Sequence, residues 1–150
     1  MEQRINVHEK GQNGLKPLYA MGAYLKKSSL DGKLVELVLF RVSQINGCAY
    51  CLDMHSKDAR AKGETEQRLY GLSAWHETPY YSPTERAALA WAEAVNKCNV
   101  PDDVYREAKE QFTDEELIDL TFAVTTINTW NRLNFAFPNI PGTYQVGQFG

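Results

Sequence analysis

Two cysteines and a histidine, Cys48, Cys51 and His55, stand three and four residues apart, a spacing that a helix turns into one chemical face. The Asn46-Gly47 pair just before them reads as a turn and places both thiols in the first turn of that helix. There the helix dipole and free backbone N–H groups favour thiolate, lowering a cysteine pKa from ~8.5 into the range of roughly 3.5–7.5. A low-pKa thiol beside a second thiol is a peroxide or disulfide reagent, because the sulfenic acid formed on oxidation is rescued when the neighbour condenses with it.

Upstream, Glu36 interrupts the run Leu34-Val35-Glu36-Leu37-Val38-Leu39-Phe40. With apolar residues on every side, this run is expected to be a buried helix rather than an amphipathic one. A buried carboxylate is costly unless partnered, and desolvation raises its pKa toward the useful range of a general base near neutral pH. One reading makes Glu36 the ion-pair partner of Arg41 or another buried cation. The other makes it a proton-handling partner of the thiols.

The remainder of the chain shows helical period throughout and no strand pattern. A first helix runs through Leu15, Leu18, Tyr19, Gly22 and Leu25 to Lys27; Ser28 to Gly32 is a loop, and the Glu36 helix continues to about Ile45. The cysteine helix extends from about Gly47 to Lys62 and stops at Gly63, and Thr65 opens a short helix to Leu72. Trp75 to Tyr81 has no clear period and is expected as a loop whose aromatics pack down. Ser82-Pro83-Thr84-Glu85 and Thr113-Asp114-Glu115-Glu116 are capping-box signatures, starting helices to about Lys97 and through Leu133. Between them Pro101 opens another to about Gln111. Beyond Phe137, two prolines and a glycine predict extended chain. These signals add up to an all-α single domain over 1–150 with six or seven helices.

At 150 residues one domain can bury roughly 68–70% of its unfolded surface, so no metal or disulfide staple is required. A net charge of −3 with scattered Lys and Arg carries no general attraction to nucleic acid or anionic membrane. The amino terminus lacks the apolar core of a signal peptide. Leu120 to Trp130 is too short for the ~20 residues a membrane span needs. The expected compartment is the cytoplasm, where a C-x-x-C pair is catalytic or metal-binding rather than a structural staple. A zinc reading would use Cys48, Cys51 and His55 with His8, His76 or Cys98 as a fourth ligand, but structural zinc sites pair two short ligand knuckles and no second one exists. Cys98 alone reads as a packing or incidental thiol, and His76 as a hydrogen-bonding or substrate-touching residue in the aromatic loop. Trp130 is expected in the core or an interface, and Asn131 and Arg132 are candidates to satisfy polar groups near Glu36. Tyr80, Tyr81, Phe135, Phe137 and Tyr144 are candidates for an apolar collar around the thiols or a subunit contact.

Glu36, eleven intervening residues, then Cys48-x-x-Cys51-x-x-x-His55 resembles the alkylhydroperoxidase AhpD group of the carboxymuconolactone decarboxylase superfamily, the core match covering about Lys33 to Gly63. The resemblance implies the helical AhpD-like fold and a peroxiredoxin-type alkylhydroperoxidase activity. By position, it makes Cys51 the peroxidatic thiol, Cys48 the resolving one, and His55 and Glu36 a proton relay. One position departs: well-known members carry a histidine next to the second cysteine, where this chain has Tyr50. No metal, flavin or haem cofactor is needed, since electrons pass from the thiols and then from a dithiol reductant. By family analogy that reductant is a lipoylated or thioredoxin-like protein, the substrate an organic hydroperoxide, and the assembly a homotrimer or homohexamer. Two further readings are decarboxylation of a muconolactone-like acid, which needs no cysteine pair, and a non-catalytic zinc-binding or interaction module.

Overall fold

The computed structural model describes residues 4–149, and the regular elements among them are all helical. In chain order they are α1 (Val7–Lys10), α2 (Gln12–Leu25), α3 (Gly32–Asn46), α4 (Ala49–Ala61) and α5 (Glu66–Gly71). A 3-10 segment (Leu72–Glu77) follows, then α6 (Pro83–Asn96), α7 (Asp102–Gln111) and α8 (Asp114–Ala136). Eight α-helices stand among the described residues against the six or seven expected. The addition is α1, a single turn capped by the Asn6 side chain and too short for periodicity to reveal. The Trp75 loop is the 3-10 segment, and Trp75 does pack down, at 2% exposure.

Both predicted capping boxes form: Ser82 and Glu85 exchange side-chain and backbone bonds at the start of α6, and Thr113 and Glu116 do the same for α8. α3 is the central element. It buries Leu34, Glu36, Leu37, Val38, Phe40, Val42 and Ser43, as its all-round apolar sequence requires. On one side Val38 and Val42 join Cys48 and Cys51 against Ala88 and Ala92 of α6 and Leu120 and Val124 of α8. On the other, Leu37 and Phe40 meet Ala59, Leu69, Leu72 and Leu89. Each fully buried Leu contributes about 1.5–3 kcal/mol.

Gly47 ends α3 in the left-handed region at φ 72°, a conformation that costs a side-chain-bearing residue roughly 1–2 kcal/mol. It lets the Gly47 and Cys48 N–H groups bond the carbonyls of Gln44 and Ser43 and sends α4 back along α3. A polar ladder fixes that corner. Asn46 donates to Asn131 Oδ1 at 2.8 Å, and fully buried Asn131 donates to Ser43 Oγ at 3.2 Å. Asn128 donates to Asn96 Oδ1 at 2.8 Å. Asn131 therefore serves the C-terminal end of α3, and Arg132 bonds Asn128; neither reaches Glu36. Tyr80 and Tyr81 also lie elsewhere than expected. Arg68 bonds the Tyr80 carbonyl and lies over the Tyr81 ring, and Tyr81 belongs to the Leu37–Leu72 cluster rather than to a collar around the thiols.

Candidate redox site

Cys48 is the N-cap residue of α4, in extended conformation, and Cys51 sits in the helix's first turn. This is the geometry the Asn46-Gly47 turn predicted. The two are joined as a disulfide with Cα atoms 5.3 Å apart, at 3% and 0% exposure. Asn134 of α8 aims its amide at Cys51 Sγ, 3.7 Å away, while its own oxygen accepts from Asn139 at 2.8 Å. A thiolate at Cys51 would have that N–H as a donor as well as the helix dipole, both of which favour the charged form.

His55 lies one turn after Cys51 and is buried, its Nδ1 2.9 Å from Glu36 Oε2. The other Glu36 oxygen accepts from Lys62 Nζ at 2.5 Å. Burial pushes the Glu36 carboxyl up, but the bonds and charges of His55 and Lys62 outweigh it and hold the carboxyl below its ordinary value. The expectation of a raised Glu36 pKa is therefore corrected, and so is the pairing with Arg41, which bonds Glu93 at 2.8 Å. An ionised carboxylate only accepts. The Nδ1–H of His55 consequently faces Glu36, and in the neutral imidazole the lone pair is on Nε2. That Nε2 is buried and has no hydrogen-bond partner among the described residues, so it is the nitrogen open to a proton donor, with the ring oriented from behind as in other carboxylate–histidine arrangements.

A profile of the carboxymuconolactone decarboxylase family matches residues 16–94, more than half of the chain. The chain belongs to this family. Among relatives in sequence, the uncharacterized protein YdfG of Bacillus subtilis (strain 168) is 44% identical over 142 residues, covering 93% of this chain and 97% of YdfG. A crystal structure from Agrobacterium tumefaciens, of a protein of unknown function provisionally assigned as the antioxidant defence protein AhpD, superposes with a TM-score of 0.90 at 37% identity. It covers 95% of this chain and all of that one (100%). The debrominase Bmp8 has a TM-score of 0.79 at 19% identity, covering 89% of this chain and 74% of its own; at that identity the likeness is one of fold alone. The AhpD-like fold is thus confirmed.

Relative to the Cys48–Cys51 pair, the other sequence candidates fall into two groups. Tyr50 is 7% exposed and lines a cavity of about 480 Å³ together with His8, Tyr19, Asn139 and Phe149. His76 stacks on Trp75 with its Nε2 3.8 Å from Glu93, and Cys98 is an exposed free thiol beyond α6, so it is not a packing residue. Neither joins Cys48, Cys51 and His55, and the four-ligand zinc set does not assemble. Glu36, His55 and Asp58 do bring one ligand atom each within 4.8 Å of one another. Lys62 and the Tyr144 hydroxyl already bond those carboxylates.

Sequence reasoning missed Lys62, Asp58 and Asn134. Two of these had a signal: Asp58 and Lys62 follow His55 by three and seven residues, one and two helical turns along the same face. Asn134, distant in sequence, had none.

Proposed function

We propose that the protein is a thiol-dependent alkylhydroperoxidase with Cys51 as the peroxidatic thiol, Cys48 as the resolving thiol, and His55 and Glu36 as the proton relay. The observation that carries this reading is the arrangement at the start of α4: the closed Cys48–Cys51 pair at its N-terminus, His55 one turn further along with Nε2 unpartnered, and Glu36 of α3 bonded to His55 Nδ1. In the reduced protein His55 takes the Cys51 proton. The thiolate attacks the terminal peroxide oxygen, the O–O bond breaks, and the proton leaves with the alkoxide as alcohol. Cys51 is then a sulfenic acid. Cys48 attacks its sulfur, the S–O bond breaks, water leaves, and the disulfide closes. An external dithiol restores both thiols and is itself oxidised to a disulfide. No metal, flavin or haem enters this scheme, and a lipoylated or thioredoxin-like protein in the cytoplasm has the right chemistry for the reductant.

Assembly as a homo-oligomer belongs to the same proposal. The outer face of α8 carries Ile118 and Phe122, at 55% and 39% exposure, and Tyr24 of α2 packs edge-on against Phe122. Covering this apolar stripe in a trimer or hexamer would remove it from water; a monomeric mass by light scattering refutes it.

The test of the activity is a titration of reduced, metal-free protein with a small organic hydroperoxide, counting thiols and mapping the bridge by mass spectrometry. Rapid loss of two thiols to a Cys48–Cys51 bridge supports the proposal. Unchanged hydroperoxide consumption by a Cys51→Ser variant sinks it.

A further inference from the structure

Asp58 has no place in the scheme above, yet it sits against its relay. It follows His55 by three residues on α4, so it projects from the same face, and it shares with Glu36 and His55 the cluster of atoms within 4.8 Å. Tyr144, 5% exposed, places its hydroxyl 2.8 and 3.0 Å from the two Asp58 oxygens. Tyr144 belongs to the irregular segment after α8, and further bonds hold that segment on α4. The Gly142 N–H donates to Asp53 Oδ2 at 3.0 Å, and Lys57 donates to the Tyr144 carbonyl at 3.0 Å. Nearer α8, Asn139 donates to the oxygen of Asn134, whose amide points at Cys51 Sγ. The segment therefore touches the thiol centre at one end and the relay at the other.

The charges explain what the Tyr144 contact does. Glu36 and Asp58 are two neighbouring carboxylates, and Lys62 bonds the first of them. Burial pushes the Asp58 carboxyl above its ordinary value, with the Glu36 charge adding to that and the Tyr144 bond, His55 and Lys62 opposing it. These are the charged and titratable groups that face Asp58: Glu36 from α3, His55 and Lys62 from α4 and its end, and Tyr144 from the segment. A hydroxyl donating to both oxygens favours the carboxylate form and fixes its direction.

We propose that Tyr144 and Asp58 form a latch through which the segment after α8 positions the Glu36–His55 relay, Asp58 acting as a positioning residue. The inference rests on the alkylhydroperoxidase reading of the same site. With the latch closed, Asp58 presents a second fixed negative charge to the relay. Lying beside His55, that charge favours the protonated imidazole and so favours transfer of the Cys51 proton to it; loosening the latch disfavours the thiolate.

The test compares reduced wild type with Asp58→Asn, Tyr144→Phe and the double variant, following thiolate formation by its ultraviolet absorbance against pH. Cys98, remote and exposed, contributes equally to all four. Asp58→Asn removes the charge and keeps a hydrogen-bonding side chain, so the first thiolate midpoint moves to higher pH, by roughly 0.3–1 pH unit for a unit charge acting across a partly hydrated site. Tyr144→Phe moves it the same way by less, because Asp58 without its donor takes up a proton more readily. The double variant matches Asp58→Asn alone, since both changes act on one carboxylate. Unmoved midpoints in folded variants, or shifts that add, overturn the latch. Shifted midpoints in a protein that fails to consume hydroperoxide would leave the latch standing and remove the peroxidase reading.

Discussion

Replacing Glu36 by Gln keeps the side-chain volume and removes the charge on which the relay turns. The carboxylate is 7% exposed and bonded by Lys62 at 2.5 Å and His55 at 2.9 Å. Hydrogen bonds to a charged group contribute about 1.5–3 kcal/mol each. The amide oxygen retains a neutral bond to His55, and the Lys62 side chain, 42% exposed, returns to water. The net loss is then about 1–3 kcal/mol, and at about 2–4 °C per kcal/mol for a chain of this size the melting temperature falls by roughly 2–12 °C. The pH dependence has a definite sign. The folded-state pKa of Glu36 lies below the ordinary 4.5, so its contribution is fully present above that value and lost as pH falls through the folded pKa. Wild type and Glu36→Gln should differ by a constant amount between about pH 7 and pH 5 and converge below about pH 4.5. With only a neutral acceptor behind Nδ1, the imidazolium formed when His55 takes the Cys51 proton loses its anionic partner, and peroxide-dependent thiol loss should slow by about 10²-fold, the low end for general acid–base catalysis. Stopped-flow thiol counting at neutral pH and thermal melts across the acid range give both numbers on the same protein. A folded variant within threefold of the wild-type rate refutes the relay, and a stability gap undiminished at about pH 3.5 refutes the carboxylate charge as its source.

Cys48→Ser should react with one equivalent of hydroperoxide and then progress to sulfinic and sulfonic acid at Cys51, because no thiol remains to condense with the sulfenic acid; mass spectrometry of the Cys51 peptide after graded oxidation decides it. Arg68 bonds Glu64 at 2.8 Å, Glu85 and the Tyr80 carbonyl, and lies 4.8 Å from the Tyr81 ring centre. Arg68→Ala should lose about 2–4 kcal/mol in urea unfolding, since partly buried Glu64 and Glu85 are left without their cation, while the rate of thiol oxidation at 25 °C stays at the wild-type value. Asn131→Ala leaves the Ser43 hydroxyl without its donor and removes one of the acceptors of the Asn46 amide, and should cost about 2 kcal/mol, read as a lower urea midpoint with an unchanged slope.

What could be read from the sequence and what could not divide along chain distance. The cysteine helix, both capping boxes and the burial of α3 were legible because each depends on residues within a turn or two of one another. Glu36 shows where that reach ends. Its burial followed from the apolar residues around it, but the direction of its pKa depends on which cations meet it across the fold, and desolvation alone points the wrong way. Arg41 was the cation named as its partner from the sequence, yet five residues along a helix is a rotation to a different face, and Arg41 turns to Glu93 instead. Lys62 lies on the face of α4 that carries His55 and meets Glu36 because α4 folds back along α3. Asn131 was expected at Glu36 and is found at Ser43 and Asn46, about seven residues or roughly 10 Å further along α3; that offset is the packing register of α8 on α3, which no local pattern encodes. The segment after α8 carries the point furthest. Prolines and glycine predicted that it would leave the helix, but the position of Tyr144 is set by Asp58, Lys57 and Asp53 on α4. A regular element announces its face through its period, whereas an irregular one takes its course from the groups that hold it, and here those groups sit beside the relay.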